Sequence, residues 1–328
     1  MAGSGLAPDG ATSQRLPVTL LVGFLGAGKT TVLNHLLGQS SGIAVLINEF
    51  GARPVDQALL RGRAGELAVL GGGCVCCDIK DSLAPVLRNL WLGPAGGAPR
   101  QLRAVVIEAS GVADPAPLLE TLTASRWLAA RYRVAGVACV VDGSRTDLAG
   151  NSLFERQVAL ADRLLISRAD CLSTAGLQAV EARLRRLNPT APCMPAAAGA
   201  VAADWLLGPA ARASWCFVEP ESAAPAHHSH AVMPGRPLQR RLLAAGWRAL
   251  CAELPGPPLR LKGIVALHGE AGPFALHGVP AGLDAPVSLL TWPADGTGAR
   301  LVLIDPAPAA RLEHALRAFV AIATGDRA

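Results

Sequence analysis

A doubly wound α/β domain with a mostly parallel sheet, followed by a smaller α+β domain, is the architecture that three observations predict. Short apolar runs alternate with helical patterns through the first two hundred or so residues, as in βαβ units. Those runs are nearly continuous rather than alternating, as parallel strands covered on both faces require. The third observation is Gly23-Phe24-Leu25-Gly26-Ala27-Gly28-Lys29-Thr30, a G-x-x-x-x-G-K-T match set between an apolar run and a helical pattern. In that setting the motif is a phosphate-binding loop, so the predicted sheet is that of a P-loop NTPase.

The elements follow in order. Residues 18–22 read as the first strand and 30–37 as the helix the loop opens. Further strands are read at 43–47, 104–107, 136–141 and 163–166. Between them, 82–92 places Leu83, Val86, Leu87 and Leu90 on one helical face, and 172–187 reads as a helix stopped by Asn188-Pro189. Segment 219–237, rich in Pro, Ala, Ser and His, reads as a linker. Residues 1–16 read as a flexible N-terminus, 17–218 as the nucleotide domain and 238–328 as the second domain. In that second domain 238–250 reads as helix, and 259–267, 288–292 and 300–304 as strands. A final helix carries Leu312, Ala315, Leu316, Phe319 and Val320 on one stripe.

Composition narrows the function. The net charge of +5 is mild, and the arginines form no blocks with interleaved aromatics, so no nucleic-acid partner is expected. Only Lys29, Lys80 and Lys262 are lysines among 30 basic residues, which marks these three as chosen rather than default cations. No signal peptide is read at the N-terminus, and no apolar run approaches the roughly 18 residues of a membrane span. A cytoplasmic location is expected. Of eight cysteines, Cys139, Cys171, Cys193, Cys216 and Cys251 stand alone and read as small buried hydrophobes.

The chemistry concentrates in five segments. In the P-loop, Gly23, Gly26, Ala27 and Gly28 shape a backbone cradle, Lys29 reaches the β/γ-phosphates, and the Thr30 hydroxyl holds Mg²⁺, with Thr31 beside it. Asn48-Glu49-Phe50-Gly51 and Asp56 follow the second strand, where a switch segment senses γ-phosphate and Mg²⁺. Glu49, Asp56 and Glu108, with Lys29, are the catalytic candidates. Gly73-Cys74-Val75-Cys76-Cys77 places three thiols within four residues, a soft cluster that selects Zn²⁺ or Cu(I) over Mg²⁺ or Ca²⁺. Three ligands from one tetrapeptide leave a tetrahedron open, and Glu49, a histidine, water or a client protein are candidates for the fourth. An open site suits handing metal on, although a redox pair or a structural cluster also fits the spacing. Glu108-Ala109-Ser110-Gly111 ends a core strand, with the glutamate placed for Mg²⁺ and the Gly111 N–H for the γ-phosphate. Ser167-Arg168-Ala169-Asp170 ends the strand at 163–166, where the Asp170 carboxylate can accept from N1–H and the exocyclic amine of guanine.

Together these segments resemble the CobW-like family of P-loop GTPases, relatives of the nickel-insertion GTPases. The likeness continues through Ala113-Asp114-Pro115, Gln157, Ala161-Asp162, Asn188-Pro189 and Leu259-Arg260-Leu261-Lys262-Gly263. It implies a GTPase with a CobW-type C-terminal domain that carries Zn²⁺, or Co²⁺ or Fe²⁺, on the C-x-C-C and transfers it to a client metalloprotein. The chain departs from the family pattern at Ser167-Arg168, where Asn-Lys or Thr-Lys is common, and at Ala52, where an acid often follows N-E-F-G. A long histidine-rich linker is reduced to His227, His228 and His230, which either feed metal or are solvated filler. Rival readings are a cobalt or iron insertion GTPase for cobalamin synthesis or nitrile hydratase, a P-loop small-molecule kinase with structural thiols, and a metal-sensing module. A homo-oligomer is left open.

Overall fold

The computed structural model describes residues 15–48, 66–69, 78–92, 102–208, 228–280, 282–292 and 298–326. Glu49, Asp56, Cys74, Cys76, Cys77, Cys216 and His227 lie outside these residues. The first domain runs β1 (Leu16–Val22), α1 (Lys29–Gln39), β2 (Ile43–Asn48), β3 (Glu66–Val69), α2 (Asp78–Leu92) and β4 (Ala104–Ala109). It continues with α3 (Ala116–Ala124), α4 (Arg126–Ala129), β5 (Tyr132–Asp142), α5 (Ser152–Leu160), β6 (Arg163–Ser167), α6 (Thr174–Leu187), β7 (Cys193–Ala196) and α7 (Ala203–Leu207).

Seven strands form one sheet in the order β3-β2-β4-β1-β5-β6-β7, and every pairing is parallel. Side chains alternate between its faces. Val18, Leu20 and Val22 join the core under α2, α3, α5 and α6, whereas Leu21 joins the one under α1 and α7. Because β4 and β5 flank β1, the loops after all three strands meet at one carboxyl edge, where open α/β sheets bind ligands.

The second domain holds β8 (His228–Val232), α8 (Leu243–Ala252), β9 (Arg260–Ala266), β10 (Pro273–Val279), β11 (Gly282–Leu283), β12 (Val287–Ser288), β13 (Arg300–Asp305) and α9 (Ala309–Thr324). Its antiparallel sheet runs β11-β10-β9-β13-β8, with β12 paired to β10. Helices α8 and α9 cover one face through Leu243, Leu250, Leu312, Leu316 and Phe319.

Several expectations need correction. The linker read at 219–237 contributes a strand, since 228–232 pairs with β13 and sets His228 and His230 in a sheet, opposite Asp305 and Leu303. The strand expected at 288–292 shrinks to the two residues of β12, and Leu290 and Trp292 stand exposed. Strands β3, β7, β10 and β11 are not among those the sequence predicts. Cys139 is buried, and burial pushes its thiol up to about 12, but Cys171 is exposed rather than a buried hydrophobe.

The domains meet through charge as well as apolar contact. Leu259, Val302 and Ile304 pack on Ala159 of α5. Beside them Asp162 accepts from Arg260, from Lys262 at 3.1 Å and from the Val137 N–H at 2.8 Å. Arg260 also donates to the Leu160 carbonyl at 3.0 Å. Burial alone would raise Asp162, but Arg260 and Lys262 overcome it and hold the carboxyl below its usual range. Burial likewise pushes His277 down to about 3, with Arg260 and Lys262 adding to the effect against Asp162.

Two outcomes follow. Replacing Asp162→Asn strands two buried cations and is expected to cost about 3–5 kcal/mol, read as a lower calorimetric Tm. An unchanged Tm would show that the buried pair does not hold the domains. Between pH 6.5 and about 3 the unfolded chain binds a proton at His277 that the folded chain refuses, so stability falls as pH falls through that window. His277→Gln removes this contribution, and its Tm should decline less steeply over the same range.

Candidate functional site

The loop between β1 and α1 is shaped by three glycines at positive φ: Gly23 at 145°, Gly26 at 76° and Gly28 at 94°. A Cβ on Gly23 would stand 2.3 Å from the Val140 carbonyl oxygen of β5, so no other residue lets the loop leave the sheet here. Lys29 opens α1 and folds back, its Nζ donating to the Gly23 and Phe24 carbonyls at 2.8 and 3.4 Å.

Three successive loop carbonyls are held from outside. Arg145 Nη1 donates to Leu25 O at 3.3 Å, Arg168 Nη2 to Gly26 O at 3.2 Å, and Ser167 Oγ to Ala27 O at 2.7 Å. In a trans peptide the N–H points opposite to the C=O of the preceding residue. Holding the carbonyls of Leu25 and Ala27 outward therefore turns the N–H groups of Gly26 and Gly28 to the inner side of the loop. The Ala27 N–H is taken up by Phe24 O at 3.1 Å, which closes the turn. Together with the first-turn amides of α1, this is a concave set of donors suited to phosphate oxygens.

Two carboxylates flank the loop because of the strand order. Glu108, 2% exposed, is in register with Leu21 of β1 and Ile47 of β2. Asp142 ends β5 on the other side, accepting from Ser144 Oγ at 2.7 Å and from Arg168. The Arg168 backbone is left-handed, at φ 54°, which turns its guanidinium back onto Asp142 and the loop. It thus ties the loop down instead of standing clear of it for a base to stack on. Asp170 lies exposed in a single 3₁₀ turn, Ala169–Cys171.

The Glu108–Gly111 segment contacts the loop directly. A Cβ on Gly111 would lie 2.7 Å from the Leu25 nitrogen, so only glycine permits this approach. Helix α5 holds the segment from behind: Gln157, fully buried, donates from Nε2 to the Gly111 and Ala113 carbonyls at 3.3 and 3.0 Å. Arg156 pairs with Asp114 at 2.8 Å.

The structure thus brings Gly23, Gly26, Ala27, Gly28, Lys29, Glu108, Gly111, Ser167 and Arg168 to one edge, with Thr30 and Thr31 in the first turn of α1. Glu49, Asp56 and the three thiols fall outside the described residues. Among the described residues no group of three or more His, Cys, Asp or Glu is arranged to hold a metal, and no helix is long and apolar enough to cross a membrane. Sequence reasoning missed Asp142 and Arg145. An acid closing an apolar strand at the carboxyl edge was the available signal for Asp142, whereas nothing local marked Arg145.

A loop of this form at the carboxyl edge of a parallel sheet defines a P-loop nucleotide-binding protein. More narrowly, the chain belongs to the CobW/HypB/UreG family, whose nucleotide-binding domain matches residues 17–195, and the cobalamin synthesis protein cobW C-terminal domain matches residues 227–320. It is 40% identical to the zinc chaperone YjiA of Escherichia coli K12 over 54% of this chain and 56% of that one. It is 33% identical to the zinc chaperone CobW of Pseudomonas aeruginosa over 67% of this chain and 65% of that one. The chain therefore spans less than two thirds of either of these two curated relatives. The solved structure of the Zn(II)-bound YjiA GTPase from E. coli superposes with a TM-score of 0.69 at 27% identity, covering 94% of this chain and 99% of that one.

Replacing Gly111→Ala pushes a methyl into the Leu25 backbone. GTP affinity, followed with a fluorescent GTP analogue, should fall by at least about ten-fold while far-UV circular dichroism stays unchanged. Unaltered affinity would mean that Gly111 does not bear on the nucleotide.

Proposed function

We propose that this chain is a GTP-hydrolysing metallochaperone that binds zinc at Cys74, Cys76 and Cys77 and transfers it to a client metalloprotein. What most supports the reading is the contact of Gly111 with the P-loop in a chain that also carries the thiol triplet. The zinc chaperones named among the relatives agree with it. GTP would lie on the inner side of the loop, its phosphates met by the Gly26 and Gly28 amides and by Lys29 once that side chain leaves the Gly23 carbonyl. Asp170 would take the guanine edge, with Ser167 and Arg168 keeping the loop in shape.

The donor set fits Mg²⁺: a hydroxyl at Thr30 and a buried carboxylate at Glu108 are hard oxygen ligands at the carboxyl edge. When bound, the ion would neutralise charge on the β- and γ-phosphates. The Gly111 N–H would meet the γ-phosphate, and Glu49, Asp56 or Glu108 would orient the attacking water. Hydrolysis would then release the Gly111 segment and, on the other side of β4, the stretch after β2 that begins with Glu49. The thiols fall between Val69, the last residue of β3, and Asp78, the first of α2. Strand β3 pairs with β2, so the two ligand-bearing stretches follow neighbouring strands. Glu49 is the proposed fourth zinc ligand, and it would sense both ligands.

The decisive experiment is an anaerobic zinc competition against a chromophoric chelator with Mg–GTP and again with Mg–GDP. Affinities differing by about five-fold or more are expected. Equal affinities would remove the gating and leave a nucleotide hydrolase with a structural metal. Lys29→Ala is expected to abolish GTP hydrolysis while sparing zinc binding, and Cys74→Ser with Cys76→Ser the reverse. A small-molecule kinase with structural thiols would instead keep its phosphoryl transfer to an acceptor in the thiol variant.

A further inference from the structure

Strand β5 links the nucleotide edge, at Asp142, to a second concavity at its other end. A cleft of about 530 Å³ opens there between α3, the first half of β5 and the β10 side of the second domain. One wall is apolar, formed by Leu119, Leu122 and Val279. On the floor β5 carries a bulge, since Val134 is opposite Val18 whereas Gly136 is opposite Thr19. Bulges recur where a strand re-aims its side chains at a site.

The other wall holds three arginines with donors left over. Arg133 is half-buried and, among the described residues, makes no hydrogen bond or ion pair, while burial and the neighbouring Arg15 both press its pKa down. Among the described residues Arg15 donates only to the Ala129 carbonyl, at 3.3 Å. Arg260 uses its two terminal nitrogens on Leu160 and Asp162, which leaves its buried Nε without a partner. Carboxylates do not balance this charge. Asp162 is already taken by Arg260, Lys262 and the Val137 amide, and among the described residues lining the cleft Asp284, whose carboxyl feels both Arg260 and Arg15, is the one further acid.

Like charges with unused donors around a concavity are stabilised by an anion, and the guanidinium fork matches a carboxylate or phosphate oxygen pair. The volume lies within the range of small-molecule sites, and the apolar wall gives such a ligand a body to bury. We propose that this interdomain cleft binds a small organic oxyanion, a carboxylate or phosphate monoester on a short apolar body, at a site separate from the nucleotide. Arg133 and Arg15 receive the anionic group, and Leu119, Leu122 and Val279 cover the rest. Because Arg260 also docks the second domain on Leu160 and Asp162, the occupied cleft braces the domain junction.

The test uses the full chain saturated with Mg–GDP, so that the P-loop is filled. Phthalate and phenyl phosphate are titrated calorimetrically as carboxylate and phosphate probes, with neutral phthalamide as control. The expected result is saturable binding of at least one anion, one per chain, without binding of phthalamide. Arg133→Gln should weaken that binding by at least about ten-fold, the loss of one charge-assisted contact. That variant removes no hydrogen bond made among the described residues, and Arg15→Gln provides a second, exposed position. Hydrogen exchange should slow over Tyr132–Ala135 when the probe binds. Whichever anion saturates identifies the ligand as carboxylate or phosphate. Absence of saturation by both, or equal affinity in Arg133→Gln, would overturn the site. The P-loop cannot mimic a positive result, because Arg133 stands at the opposite end of β5 from Asp142.

Discussion

Asp162 keeps its charge inside the protein because two cations and a backbone amide converge on it, and the geometry of both domains is built around that convergence. One oxygen takes Arg260 and Lys262 from β9, the other the Val137 amide from β5. Asp162 sits where α5 gives way to β6, so the second domain, in docking, also fixes the end of α5. The preceding turn of that helix, at Arg156 and Gln157, is committed elsewhere. Gln157 and Arg156 hold the Gly111–Asp114 segment, and Gly111 touches Leu25 of the P-loop. Direct contacts therefore run unbroken from β9 through one nine-residue helix to the phosphate-binding loop. Asn188 reinforces the helix end, donating to the Val158 and Ala161 carbonyls at 2.8 and 2.9 Å.

The same logic of satisfied polar groups explains the nucleotide edge. A parallel sheet ends in loops whose carbonyls and amides need partners. Here the carbonyls of Leu25, Gly26 and Ala27 are met by side chains from the end of β6 and the loops after β5 and β6, and planarity of the peptide then sends amides inward. Arg168 takes the middle carbonyl. Its fork reaches Asp142 and the Gly26 carbonyl together, which a single ammonium satisfies less well. Ser167 completes the arrangement with one short bond. Ser167 and Arg168 thus tether two successive carbonyls of the loop.

How much of this could be read from the sequence depends on whether each feature is local. The P-loop was legible because three glycines, a lysine and a threonine within eight residues have one compatible geometry. Central strands were legible because burial on both faces demands continuous apolar runs. Edge strands escaped for the converse reason. The strands β3, β7 and β8 each pair on one side only, and His228-Ser229-His230-Ala231-Val232 has no apolar run to detect. Strand β10 was hidden by His277-Gly278, although Gly278 is there for packing, since a Cβ would come within 2.5 Å of the Trp247 ring. The motifs Ala161-Asp162 and Leu259–Gly263 were noticed as separate likenesses. That they form one ion-paired cluster depends on contacts across 98 residues of chain, which no local pattern encodes.

That cluster also gives the two ends of β5 a common reporter. The last turns of helix α5 touch the Gly111 segment through Gln157 and Arg260 through the Leu160 carbonyl. If α5 has two positions, a ligand that contacts them differently shifts the balance by its differential affinity and by nothing more. A ligand in the interdomain cleft and a nucleotide at the P-loop would then change each other's affinity by one shared factor. Proximity along a path of contacts does not create such a factor. What creates it is an element with discrete arrangements, and α5 is the element that both sides touch, through Gln157 and the Leu160 carbonyl.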